Sequence, residues 1–139
     1  MGEMILQAKN ICKSYSNGKT QLSVLQDFSL DVEVGEIITI MGQSGSGKST
    51  ALNILGTLDH PDSGELILGG KRVHTMEENE LAAIRNGDIG FVFQFYHLLP
   101  ELSLLENTLL PATIGRVREA TSESRDRGLA LLELTLTHN

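Results

Sequence analysis

The chain has 139 residues, 40% hydrophobic and 21% charged, with 11 Lys and Arg against 18 Asp and Glu. That length suits one globular domain or one piece of a larger one, and the net charge of −7 argues against nucleic acid as a partner, which would call for a basic face. No apolar run approaches the ~18 residues of a membrane span, the opening run Met4-Ile5-Leu6 is too short for a signal-peptide core, and the single Cys12 excludes an internal disulfide and fits a reducing compartment.

The first seventy residues or so read mainly as strands and turns. An apolar stretch runs from Met4 to Cys12. Beyond it Leu22, Val24, Phe28, Leu30, Val32 and Val34 alternate with polar residues, which predicts half-buried antiparallel strands joined at the turn signal Asn17-Gly18. The segment Glu36-Ile37-Ile38-Thr39-Ile40-Met41 is instead a continuous β-branched run, the pattern of a strand covered on both faces. A glycine-rich loop follows, then a helix from Lys48 to Leu55. Pro61-Asp62-Ser63-Gly64 predicts a turn, residues 65–68 a short strand, and Gly69-Gly70 a hairpin turn.

Residues 77–85 predict a helix, with acidic residues in the first turn, Leu81 and Ile84 three apart, and Asn86-Gly87 as a stop. Residues 89–93 form a second buried-strand run, and residues 103–110 a short helix ended by Pro111. A last helix spans about 122–134, with Leu129, Leu132 and Leu136 at spacings of three and four. Gly128 inside it costs about 1 kcal/mol relative to Ala, and the β-branched Thr135 and Thr137 weaken its end. His60, His74, His97 and His138 lack metal-ligand spacing and read as surface or loop residues.

The strongest chemical signal is Gly42-Gln43-Ser44-Gly45-Ser46-Gly47-Lys48-Ser49-Thr50. It matches G-x-x-x-x-G-K-[ST], the phosphate-binding P-loop, between a predicted strand and a predicted helix. Successive backbone N–H groups must turn inward around a phosphate, which calls for glycine. Lys48 supplies an ammonium for the β- and γ-phosphates and Ser49 a hydroxyl for Mg²⁺. The helix that begins there adds its positive end. The plain alternative is a flexible glycine-serine turn.

The segments around this loop resemble the nucleotide-binding subunits of ABC transporters. They are Val24-Leu25-Gln26-Asp27-Phe28-Ser29-Leu30 and Val34-Gly35-Glu36 before it, and Leu55-Gly56-Thr57-Leu58-Asp59 and Pro61-Asp62-Ser63-Gly64 after it. Gln94-Phe95-Tyr96-His97-Leu98-Leu99-Pro100 and Leu105-Glu106-Asn107 follow. Within that superfamily the chain is most similar to the ATP-binding subunits of lipoprotein-releasing systems, with macrolide exporters close by. The likeness covers nearly the whole chain and fades after about Gly115.

The resemblance implies an α/β P-loop NTPase fold, with residues 1–139 as a partial ABC-type ATP-binding domain: an antiparallel β subdomain and an incomplete RecA-like core. It implies ATP and Mg²⁺ as cofactors. Tyr15 would stack on adenine, residues 42–50 would hold the phosphates, Ser49 and Gln94 would reach Mg²⁺, and Gln94 would also meet the attacking water. A turn-flanking tyrosine and a polar strand-end glutamine are the plain readings of the same residues. The run from Phe95 to Pro100 would face a coupling helix of transmembrane permease subunits, unless it is tucked into its own core. A second copy of the subunit would complete the family's dimer, on the cytoplasmic face of the inner membrane.

The family's ATP hydrolysis also uses a Leu-Ser-Gly-Gly-type signature, a Walker B strand ending in Asp, a catalytic Glu and a switch His. None is found in these 139 residues. The chain therefore reads as C-terminally truncated relative to the family, and as binding ATP rather than hydrolysing it.

Overall fold

In a computed structural model, residues 2–114 and 122–136 are described. The chain divides into two compact units, Met1–Ala82 and Ala83–Asn139.

The first unit is built on a hairpin. Strands β1 (Met4–Ser16) and β2 (Gln21–Glu33) pair antiparallel, from Met4 opposite Glu33 to Ser16 opposite Gln21. The Asn17-Gly18 signal closes the hairpin, with Thr20 N–H donating to the Asn17 carboxamide at 3.1 Å. The ladder is irregular between Ala8 and Ile11, where Asn10 takes φ 50° and its N–H donates to Ser29 Oγ at 2.9 Å. Strand β3 (Ser63–Leu68) pairs with the other edge of β1, and β4 (Lys71–Arg72) follows the Gly69-Gly70 turn, giving the order β2-β1-β3-β4. Helix α1 (Lys48–Leu55) contributes Ala51, Ile54 and Leu55 to the core, with Ala8, Ile11, Leu25, Leu66 and Val73. Burying side chains such as Ile11, Ile54 and Leu66 stabilises by about 1.5–3 kcal/mol each.

Two predicted strands do not form. Residues 36–41 carry no strand pairing, and Ile37 is 92% and Met41 85% exposed. Residues 89–93 are likewise outside any ladder, with Val92 102% and Phe93 50% exposed. A β-branched run needs a neighbouring backbone to satisfy its N–H and C=O groups, and no described strand pairs with either segment. Among the described residues the antiparallel subdomain of the expected architecture is present, and residues 36–41 and 89–93 pair with no strand.

Helix α2 (Glu78–Gly87) crosses the division between the units, and its start is solvated, as its acidic run implies. In the second unit, helix α3 (Leu104–Ile114) runs through Pro111 instead of ending there. Pro111 lies in the last turn, where the lost N–H breaks one bond and little helix remains to kink. Helix α4 (Ser122–Leu136) packs on α3. A Cβ on Gly128 would lie 2.9 Å from Leu109 Cδ2, so the helix-weakening glycine is where the two helices approach. Thr137 and His138 lie outside the described residues. No helix among the described residues is long and apolar enough to cross a membrane.

Candidate functional site

Helix α1 begins on Gly47, at φ 88° and ψ 4°, with no side-chain cap and no acidic residue in its first turn. The first N–H groups of a helix have no intrahelical acceptor, and here no carboxylate offsets the positive end. That end opens on a cleft of about 560 Å³ lined by Val24, Ser44, Gly45, Gly47, Lys48, Ser49 and Thr50. The volume falls in the range of small-ligand sites, and the lining holds one cation and no acid.

The loop is drawn tight by its own bonds. Ser46 N–H donates to the Gln43 carbonyl at 3.2 Å. Lys48 Nζ donates to the Gly42 carbonyl at 2.9 Å, the Gln43 carbonyl at 2.6 Å and Ser46 Oγ at 3.4 Å. The ammonium is thus held against the start of the loop, beside the helix end. A Cβ on Gly42 would stand 2.7 Å from Ser46 Oγ, so a side chain there would fill the cradle. At Gly47 a Cβ would meet the Val24 carbonyl at 2.9 Å, which locates the loop against β2.

These residues fit a magnesium-bound polyphosphate. The uncapped helix end and Lys48 are donors for phosphate oxygens, and Ser49, exposed at the cleft, offers a hydroxyl to the cation.

Tyr15, next to last in β1, is 43% exposed. Its hydroxyl donates to Asp59 Oδ2 at 2.7 Å, and Lys13 Nζ lies 5.2 Å from its ring centroid. The bond to Asp59 and burial push its pKa up, against the Thr50 side chain and the Lys13 charge. Asp59 goes the other way: burial pushes its carboxyl up, but Lys13, Tyr15 and the His60 N–H outweigh burial and hold it low. Neither Asp59 nor Lys13 was a candidate on sequence grounds. The signal was present in Lys13-Ser14-Tyr15 and Leu58-Asp59, but nothing in a linear reading joins them.

Gln94 does not close a buried strand. It lies exposed in a bend of the second unit, because the run before it has no ladder to end. The apolar loop that follows is solvent-facing, with Phe95 70%, Tyr96 92%, Leu98 55% and Leu99 44% exposed. It is not tucked into a core. Its backbone is nonetheless ordered by contacts within the unit. Phe91 and Phe93 stack at 5.5 Å, and Phe93 meets His97 edge-on at 4.9 Å. Asn107 accepts the Leu99 N–H at 2.8 Å and donates to the carbonyls of Leu99, Leu102 and Ser103 at 3.0–3.1 Å. Ser103 and Glu106 form a capping box at the start of α3, with Ser103 N–H on Glu106 Oε2 at 2.8 Å and Glu106 N–H on Ser103 Oγ at 3.3 Å.

Residues 25–138 match the ABC transporter family. The lipoprotein-releasing system ATP-binding protein LolD of Bdellovibrio bacteriovorus is 45% identical over 92% of this chain and 57% of its own length. That of Saccharophagus degradans is 41% identical over 99% of this chain and 60% of its own. The macrolide export ATP-binding/permease protein MacB of Burkholderia pseudomallei is 45% identical over 92% of this chain and 19% of its own. A dimeric ATP-binding cassette solved in a post-hydrolysis state with ADP and Pi superposes with a TM-score of 0.84, at 42% identity, covering 92% of this chain and 56% of that one. The chain therefore spans 57–60% of the length of these LolD relatives. With its α/β fold, its glycine-rich loop and a match over most of its length, this chain belongs to the ABC transporter family.

Proposed function

We propose that this chain is the nucleotide-binding part of an ABC transporter's ATP-binding subunit, taking ATP with Mg²⁺, and that its transporter releases lipoproteins from the inner membrane. It would stand peripherally on the cytoplasmic face. The observation that carries the reading is the cleft over the uncapped end of α1, with Lys48 at its wall and no acidic lining.

In this reading the loop N–H groups and Lys48 bind and orient the phosphates, and Ser49 holds the cation. When bound, Mg²⁺ would neutralise phosphate charge. Tyr15 offers a flat face to the base. The exposed Phe95, Tyr96, Leu98 and Leu99 support docking of an apolar helix from a permease. A second copy of the subunit is the expected partner across the nucleotide.

Equilibrium binding of a fluorescent ATP analogue, with and without Mg²⁺, tests the site. Binding that Lys48→Ala lowers at least tenfold is expected; binding indifferent to Lys48→Ala would reject the reading. For these 139 residues alone we expect binding without turnover, since no signature, Walker B or catalytic Glu follows Gln94. Phosphate release above the Lys48→Ala level would overturn that expectation. A macrolide-type exporter is the second reading, favoured by a relative of that kind at the same 45% identity. Co-purification with a lipoprotein-release permease, against a macrolide permease, separates the two.

A further inference from the structure

One carboxylate links Tyr15 to the helix that follows the phosphate loop. Asp59 lies just beyond α1, where the Asn53 carbonyl accepts both the Leu58 N–H at 2.8 Å and the Asp59 N–H at 3.2 Å. The exit of the helix therefore sets the place of Asp59. Its two oxygens are divided in use. Oδ1 accepts from Lys13 Nζ at 2.8 Å and from the His60 N–H at 2.7 Å. Oδ2 accepts from the Tyr15 hydroxyl at 2.7 Å.

Lys13 is itself fixed. Its side chain is only 12% exposed, it donates to the His60 carbonyl at 2.6 Å, and it lies 3.8 Å from Asp62. Asp62 accepts the Ser14 N–H at 2.7 Å. Three successive residues at the end of β1 are thus tied to the segment after α1.

We propose that Asp59, supported by Lys13, is a positioning residue for nucleotide binding, holding the Tyr15 ring at a set distance and angle from the phosphate cradle. The proposal rests on the reading of Tyr15 as base platform and residues 42–50 as cradle. A half-exposed tyrosine at a strand end would otherwise rotate freely. Ordering such a side chain on binding costs about 0.5–1.5 kcal/mol, or about 2- to 12-fold in affinity. A ring already bonded to Asp59 avoids that loss, and it can do so only for ligands that carry a base.

The test compares Mg-ATP with inorganic tripolyphosphate plus Mg²⁺ as ligands, by calorimetry on the full chain. The variants are Tyr15→Ala, Tyr15→Phe, Asp59→Ala and the double Tyr15→Phe/Asp59→Ala. Tyr15→Ala is expected to weaken ATP about 5- to 150-fold through lost stacking. Tyr15→Phe, which keeps the ring and loses only the hydroxyl, is expected to weaken ATP about 2- to 12-fold. Tripolyphosphate affinity should hold in both, which also reports an intact fold. The ATP-to-tripolyphosphate ratio of the double variant should be no lower than that of the worse single variant, because both changes remove one bond. Wild-type ATP affinity in Tyr15→Phe beside a weakened Tyr15→Ala would overturn the positioning role and leave the platform standing. Wild-type affinity in Tyr15→Ala would overturn the platform, and the proposal with it. Loss of tripolyphosphate affinity in step with ATP would show a merely structural ion pair.

Discussion

Gly47 is where the fold and the cradle meet, and its replacement by alanine separates two costs. The residue sits at φ +88°, and an added Cβ would lie 2.9 Å from the Val24 carbonyl, 3.0 Å from Leu25 Cδ2 and 3.2 Å from Val24 Cγ1. Left-handed backbone costs a non-glycine residue about 1–2 kcal/mol. Crowding against strand backbone adds about 1–3 kcal/mol, since a main-chain carbonyl of β2 cannot swing away as a side chain does. The unfolded chain returns about 0.4–1 kcal/mol of that through its reduced freedom. Gly47→Ala should then destabilise by about 1–4.5 kcal/mol. Gly45 is the internal control: it sits at φ +80°, but nothing lies within 4 Å of its Cβ position. Gly45→Ala should cost only the conformational part, about 0–1.5 kcal/mol net. Urea denaturation followed by circular dichroism measures both, and ATP-analogue binding reports the cradle. Equal stability of the two variants would refute the claim that β2 holds the loop in place.

The remaining expectations concern the ion pair, the exposed loop and the helix contact. Lys13 is pushed down by burial, but Asp59 and Asp62 outweigh that and hold it above its ordinary 10.5, while Asp59 is held below its ordinary 3.8. The stability from Asp59 is full above pH 3.8 and lost as pH falls through its lower folded value, and that from Lys13 is full below 10.5 and lost as pH rises through its higher one. The urea midpoint should therefore sag at both extremes, and Asp59→Asn should shrink the acid-side fall; an unchanged acid limb would refute the assignment. Asn107→Ala should cost about 0.5–1.5 kcal/mol of local stability by removing its bonds to the largely exposed groups around Leu99, read as faster hydrogen exchange at the Leu99 amide. Gly128→Leu should destabilise by about 1–3 kcal/mol by overpacking α3 against α4, measured by urea denaturation. Ile37→Thr, at a side chain 92% exposed, should stay within about 0.5 kcal/mol of wild type and leave ATP-analogue binding unchanged.

What could be read from the chain depended on the range of the interactions. The hairpin was legible because alternation and the Asn17-Gly18 turn are local, and the phosphate loop because its residue types are adjacent. Helix α3 ran past Pro111 because a proline in a last turn breaks little. The runs at 36–41 and 89–93 were legible as β-prone, but the pattern reports what a segment does when another backbone lies beside it. It does not report that the backbone is there. Gly128 carried a visible propensity cost, and its compensation, room for Leu109, is a contact between helices. The Asp59 to Tyr15 bond spans 44 positions, and no periodicity marks either partner.

The unpaired segment before the loop has a physical consequence for the site. A P-loop is usually pictured as hanging from the strand that precedes it, yet residues 36–41 are in no ladder while the cradle is formed. Its geometry rests on other contacts: Gly47 against the Val24 carbonyl of β2, Lys48 across the carbonyls of Gly42 and Gln43, and α1 seated in the core through Ala51, Ile54 and Leu55. Tyr15 and Asp59 belong to this same first unit. The proposed base platform and the proposed phosphate cradle therefore share one supporting framework, the antiparallel sheet and α1. Nucleotide affinity should follow the stability of that framework rather than the pairing of the exposed runs, whereas Gln94 and the apolar loop after it belong to the second unit.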